Sequence, residues 1–217
     1  MVLLRGLLYI GFVVAVVAGW YLNRKKAART EYSTTEPEIN LDTLEAIIGA
    51  LDSQRWTIRL KAVEALRNEN NPQTLQHLVD MLEDPVLDVR DAAVSGIVTY
   101  GTQAVPRLAQ VLETGKLNAR EAAVKALCEI GTDATVDVLA KALQEDESAW
   151  VRIPAAQGLG AMGGEKASFA LLSALDDPHP DVVQTVETIL HQNAPLSAQD
   201  RDESLNQDLL DIVIEED

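Results

Sequence analysis

The sequence predicts an all-α chain: an α-solenoid of about five helix-turn-helix repeats preceded by one N-terminal transmembrane helix. Three observations predict it. A pattern of leucine, alanine and arginine recurs about every 31 residues, an uncharged run of 17 residues lies near the N-terminus, and the chain is 47% apolar with only 4% aromatic residues. The apolar residues are mostly Ala, Leu and Val, a mix that suits close-packed helices better than sheets.

The first predicted element is the membrane helix. Residues 6–22 read GLLYIGFVVAVVAGWYL without a charge. As a helix that run spans about 25 Å, near the lower limit for crossing a bilayer core. Extending it to residues 2–22, with Arg5 reaching back to the interface, lengthens it. Trp20 and Tyr21 sit where interfacial aromatics are expected. The rival reading is a cleaved signal peptide, with Val16-Val17-Ala18 as the cleavage site. Arg24, Lys25, Lys26 and Arg29 oppose it, because positive charge after the run resists translocation. The expectation is therefore a single-pass anchor with the body on the cytoplasmic side. Gly11, Ala15 and Gly19 form a stripe of small residues, a candidate pairing face for a homodimer through this helix. Residues 23–40, basic then polar and without periodicity, read as a linker.

The repeats follow over residues 41–192. Arg59, Arg90, Arg120 and Arg152 are 31, 30 and 32 residues apart. Three residues after each stands Ala62, Ala93, Ala123 or Ala155, and seven after each stands Leu66, Ile97, Leu127 or Leu159. A fifth copy from Asp181 has Val183 in place of the arginine. A second helix per unit is marked by Leu51, Leu82, Leu112, Leu143 and Leu175, with apolar partners four and mostly also seven residues earlier. Those offsets share one helical face. Ser53, Asp84, Thr114, Asp146 and Asp177 precede the arginine positions by six residues, where each can accept a backbone N–H at a turn. Gly101, Gly131 and Gly163 mark helix ends. Pro154 lies early in its helix, and its missing N–H costs little only if it is in the first turn. Residues 193–217, with eight acids and one Arg, read as a C-terminal cap or tail, in which Leu205, Leu209, Leu210, Ile212 and Val213 form either a capping helix or a docking peptide.

Net charge is −16, and residues 31–217 alone hold 13 basic and 34 acidic groups. An acidic body argues against nucleic acid, since phosphate binding needs a basic footprint. It suits protein partners that are basic or membrane-embedded. Chemistry-bearing residues are sparse. His77, His179 and His191 fall in different units with no metal-ligand spacing, and Cys128 reads as a packed small residue. Asp176-Asp177-Pro178-His179-Pro180-Asp181 reads as a capped turn rather than a metal loop. No cofactor, metal or catalytic residue is expected.

The segment Asp84 to Ile97, D-P-x-x-x-V-R-x-A-A-x-x-x-I, with four looser copies over about residues 41–192, resembles the HEAT-like repeat family, the short-repeat type found also in phycobilisome lyases. That resemblance implies an α-solenoid whose second helices line a concave binding surface. It also implies that the arginine and turn-carboxylate columns tie neighbouring repeats together, so Arg59, Arg90, Arg120 and Arg152 read as a structural ladder. The candidate protein-binding surface is then the outward columns of the second helices: Gln76, His77 and Asp80; Arg107 and Gln110; Asp137, Val138 and Lys141; and Phe169. Val138 and Phe169, apolar in partly polar columns, are candidates for an exposed contact patch. The expected function is a membrane-anchored scaffold or adaptor binding other proteins, without catalysis. The resemblance also implies a photosynthetic, thylakoid membrane as the setting of the anchor. The alternative, carried by the resemblance alone, is a phycobilin lyase or isomerase acting on phycobiliproteins.

Overall fold

The computed structural model describes residues 41–69 and 71–193. The chain divides into two compact units, 1–39 and 40–217, and every described helix belongs to the second. The predicted transmembrane helix, its pairing face Gly11, Ala15 and Gly19, the linker, and residues 194–217 lie outside the described residues. Among the described residues no helix is long and apolar enough to cross a membrane.

Ten α-helices follow in order, with no strand among the described residues: α1 Leu44–Leu51, α2 Trp56–Glu69, α3 Pro72–Asp80, α4 Leu87–Val98, α5 Val105–Thr114, α6 Leu117–Ile130, α7 Asp133–Glu145, α8 Ala149–Met162, α9 Gly164–Ser173 and α10 Pro180–Asn193. Short 3-10 turns, Met81–Glu83 and Ala174–Asp176, prolong α3 and α9. Local chemistry sets many of the boundaries. Thr43 Oγ1 accepts the Ala46 N–H at 3.2 Å and so caps α1. Asn71 caps α3, with Pro72 at the start of the helix, where no hydrogen bond is lost. Gly131, at φ 57°, ends α6 in the left-handed region and donates its N–H to the Leu127 carbonyl at 3.1 Å.

The even-numbered helices carry the arginines and stack as one row; the odd-numbered helices stack as the other. The core runs between the rows. Leu66, Ile97, Leu127 and Leu159 are fully buried, as are Ala62, Ala93, Ala123 and Ala155. Burying one such leucine contributes about 1.5–3 kcal/mol, so the periodic leucines make the stack cohere. The alanines let the even helices approach closely. At Gly158 there is no room for a Cβ against Cys128 Sγ.

The even helices contact one another more extensively than the odd helices do. The structure departs from two readings of the sequence. Pro154 is the sixth residue of α8, past the first turn, and removes the N–H that would serve the Trp150 carbonyl. Thr114 does not accept a turn N–H; its hydroxyl donates to the Gln110 carbonyl at 3.1 Å as α5 runs on through it.

Candidate functional site

The arginines reach from the start of each even helix across to the next turn. Arg59 Nη1 donates to the Ser53 carbonyl at 2.8 Å, while its Nε and Nη2 hold Asp84 at 2.5 and 2.9 Å. Arg120 holds Asp146 at 2.9 and 3.2 Å, and Arg152 holds Asp177 at 2.7 and 2.8 Å. Each Asp also accepts the N–H two residues on: Val86, Ser148 and His179. The carboxylates thus cap one turn and clamp the preceding repeat. Burial alone pushes the Asp177 carboxyl up, but the Arg152 and His179 hydrogen bonds outweigh it and hold it below the usual carboxylate range.

Arg90 breaks the series. Its Nη1 donates to the Asp84 carbonyl at 2.6 Å, but Thr114 stands where the other turns carry Asp. Glu121 feels its charge without pairing with it, and burial holds the Glu121 carboxyl above its ordinary value.

The candidate surface residues fall on the odd row, six of the nine at two open clefts. The first, about 350 Å³, lies between α3 and α5 and is lined by Gln76, Val79, Asp80, Arg107 and Gln110 among others. Gln76 Nε2 donates to Asp80 at 2.8 Å, and Arg107 Nη1 donates to Gln76 Oε1. The second, about 330 Å³, lies between α5 and α7 and includes Leu112, Glu113, Val138 and Lys141. Lys141 Nζ meets Glu113 at 2.7 Å. Lys116 meets Glu83 and Lys166 meets Asp137 in the same manner, at 2.8 and 2.9 Å. Each cation reaches an acid of the preceding repeat. Such exposed pairs contribute at most about 1 kcal/mol each, so they set register and surface charge more than stability.

The structure therefore brings Gln76, Asp80, Arg107 and Gln110 together in one cleft and places Val138 and Lys141 in the next. His77 is half-buried outside both, and Asp137 is taken up by Lys166. Val138 and Phe169 differ in setting: Val138 is half-buried, whereas Phe169 on α9 is 71% exposed. Sequence reasoning missed Leu172 and Trp150, also strongly exposed. Leu172 repeats the register of Val79, Ala109 and Ala140, so its column reads as packing; only its place in the last described repeat distinguishes it. Cys128 is half-buried, its Sγ 3.7 Å from the Pro154 carbonyl, and burial pushes its thiol up to about 11. Among the described residues no group of His, Cys, Asp or Glu is placed to hold a metal ion.

The repeat geometry has relatives. The pattern of HEAT repeats matches residues 24–98 and 102–190. No curated protein matches the chain. Among solved structures, crescerin, which uses a TOG domain array to regulate microtubules in the primary cilium, is similar at 19% identity over 72% of this chain and 77% of that one, with a TM-score of 0.50. The CpcE–CpcF complex of phycocyanin lyase from a Nostoc species is similar at 22% identity over 76% and 69%, with a TM-score of 0.47. Human deoxyhypusine hydroxylase in complex with glycerol is similar at 20% identity over 70% and 74%, with a TM-score of 0.38. At such identities the likeness concerns the fold alone.

Proposed function

The chain belongs to the HEAT-repeat family, and we propose that it is a non-catalytic scaffold, tethered to a membrane by residues 2–22, that binds other proteins through its odd-numbered helices. One observation carries the reading. The odd row opens into two clefts whose linings differ from repeat to repeat, Gln76, Asp80 and Arg107 in one and Val138 and Lys141 in the other. Core positions repeat because packing dictates them. Residues that change between equivalent sites on a regular frame are free to match a partner.

The clefts are open rather than enclosing, which suits side chains of a docked protein better than a buried small substrate. The basic segment after the apolar run supports a cytoplasmic placement of the solenoid. Tethering raises the local concentration of the solenoid around other membrane proteins and so strengthens weak contacts.

Affinity capture with the intact 217-residue chain in detergent, alongside an Arg107→Glu/Lys141→Glu variant, tests this. The wild type should retain a protein partner that the variant loses at least tenfold, with unchanged melting of the variant. Equal recovery by both, or attachment of bilin to a phycobiliprotein subunit by the purified chain, would overturn the reading.

A further inference from the structure

Three of the six exposed large apolar residues among the described residues, Phe169, Leu172 and Leu175, belong to α9 and its 3-10 extension. In earlier repeats the equivalent positions are treated differently. The leucines matching Leu175, at 51, 82 and 143, are at most 4% exposed, and Leu112 is half-buried; Leu175 is 36% exposed. The positions matching Phe169 are Gln76, Pro106 and Asp137. The even row ends in another way: α10 buries Val182 and Val186 and turns Gln184, Glu187, Thr188 and His191 to solvent. A polar outer face is how a terminal repeat closes a stack. One row is closed and the other is left apolar.

Charge identifies what fits there. Glu165, Phe169 and Leu172 share one face of α9, and Asp176 follows in the 3-10 extension, so an acid stands at each end of the Phe–Leu pair in a stripe about 18 Å long. Glu165 and Asp176 are exposed and pair with no cation among the described residues, and Lys166, the one Lys or Arg in residues 164–193, is held by Asp137. Residues 194–217 are a poor match for this stripe, because their eight acids and single Arg repel it.

We propose that this stripe is a docking site for a basic amphipathic helix of a partner protein, apolar at its middle and with Lys or Arg near both ends. The proposal rests on the protein-binding reading and names the partner chemistry of its Phe169 end. The helix would complete the odd row as a further repeat would, burying Phe169 and Leu172 and neutralising the two acids.

The test uses the full 217-residue chain and two labelled 18-residue helical probes, both with a leucine stripe, one with Lys and one with Glu at the flanks, followed by fluorescence anisotropy. The Lys probe should bind at least tenfold more tightly than the Glu probe. Phe169→Ser/Leu172→Ser, which leaves every charge in place, should weaken it at least tenfold, while Leu87→Ser on the even row should not. Glu165→Lys/Asp176→Lys leaves the chain strongly acidic overall, yet should reverse the preference in favour of the Glu probe. Diffuse attraction would leave the Lys probe preferred in that variant, and this result overturns the proposal. So does equal binding to Phe169→Ser/Leu172→Ser. If Leu209→Ser/Ile212→Ser raised affinity tenfold, the chain's own C-terminal segment would be the occupant and the proposal would fall. None of these results depends on Arg107 or Lys141, so the stripe can fail while the cleft reading stands.

Discussion

Arg152 and Asp177 show how much one contact holds. Their side chains are 8% and 6% exposed, and the arginine fork joins the carboxylate to the Asp146 carbonyl of the preceding turn. Removing one partner strands the other in a desolvated setting. Arg152→Ala should therefore cost about 3–5 kcal/mol in urea unfolding, more than an exposed pair such as Lys141–Glu113 can. The pH dependence has a definite sign. Asp177 is depressed in the folded state, so its contribution is complete above the unfolded value near 3.8 and is lost as pH falls through the lower folded value. Asp177→Asn should lower the Tm at about pH 7, and the gap to wild type should narrow as the pH falls below about 4. A gap that widens in acid would contradict the assignment.

At the scale of helices, the same leucines that mark the repeat also hold it. Leu127 in α6 is fully buried, and Leu127→Ala should cost about 2–5 kcal/mol, broadening the melt as neighbouring repeats lose their support. A variant melting like wild type would show the register to be wrong. The helices and their order were legible in the sequence because burial is periodic: Leu66, Ile97, Leu127 and Leu159 stand at one offset from their arginines and all are fully buried. What was not legible depends on how neighbouring repeats are spaced. The alanine column reads as small residues, but nothing in it says which row makes the more extensive contacts. Pro154 reads as an early helix residue, but the sequence does not fix how early; Ser148 caps α8, its Oγ accepting the Trp150 N–H at 3.3 Å, which puts Pro154 past the first turn. Thr114 reads as a turn acceptor, yet its hydroxyl satisfies the carbonyl of Gln110 instead. The candidate surface was legible as columns, while the clefts that group Gln76 with Arg107 arise only from the gap between α3 and α5.

For the molecule as a whole, charge and anchoring set the terms on which partners arrive. The body is acidic and the basic residues just after the apolar run stand apart from it in the sequence. Extraction of membranes with alkaline carbonate should leave the 217-residue chain in the pellet, and a version with Val13→Lys and Val17→Lys should move to the supernatant. A wild-type chain recovered wholly in the supernatant would remove the tether from the proposed function. Far-UV circular dichroism of the same sample should be dominated by helix, as the ten described helices require.

The missing carboxylate opposite Arg90 has a mechanical consequence. Every neighbouring storey is stitched by a bidentate clamp, whereas the joint at Thr114 relies on apolar packing and two exposed stitches, Lys116 to Glu83 and Lys125 to Asp91. A column fastened everywhere but one place parts there first. Strain applied to it, whether by heat or by a tugging partner, gathers at that seam, and the segments on either side unzip as separate blocks.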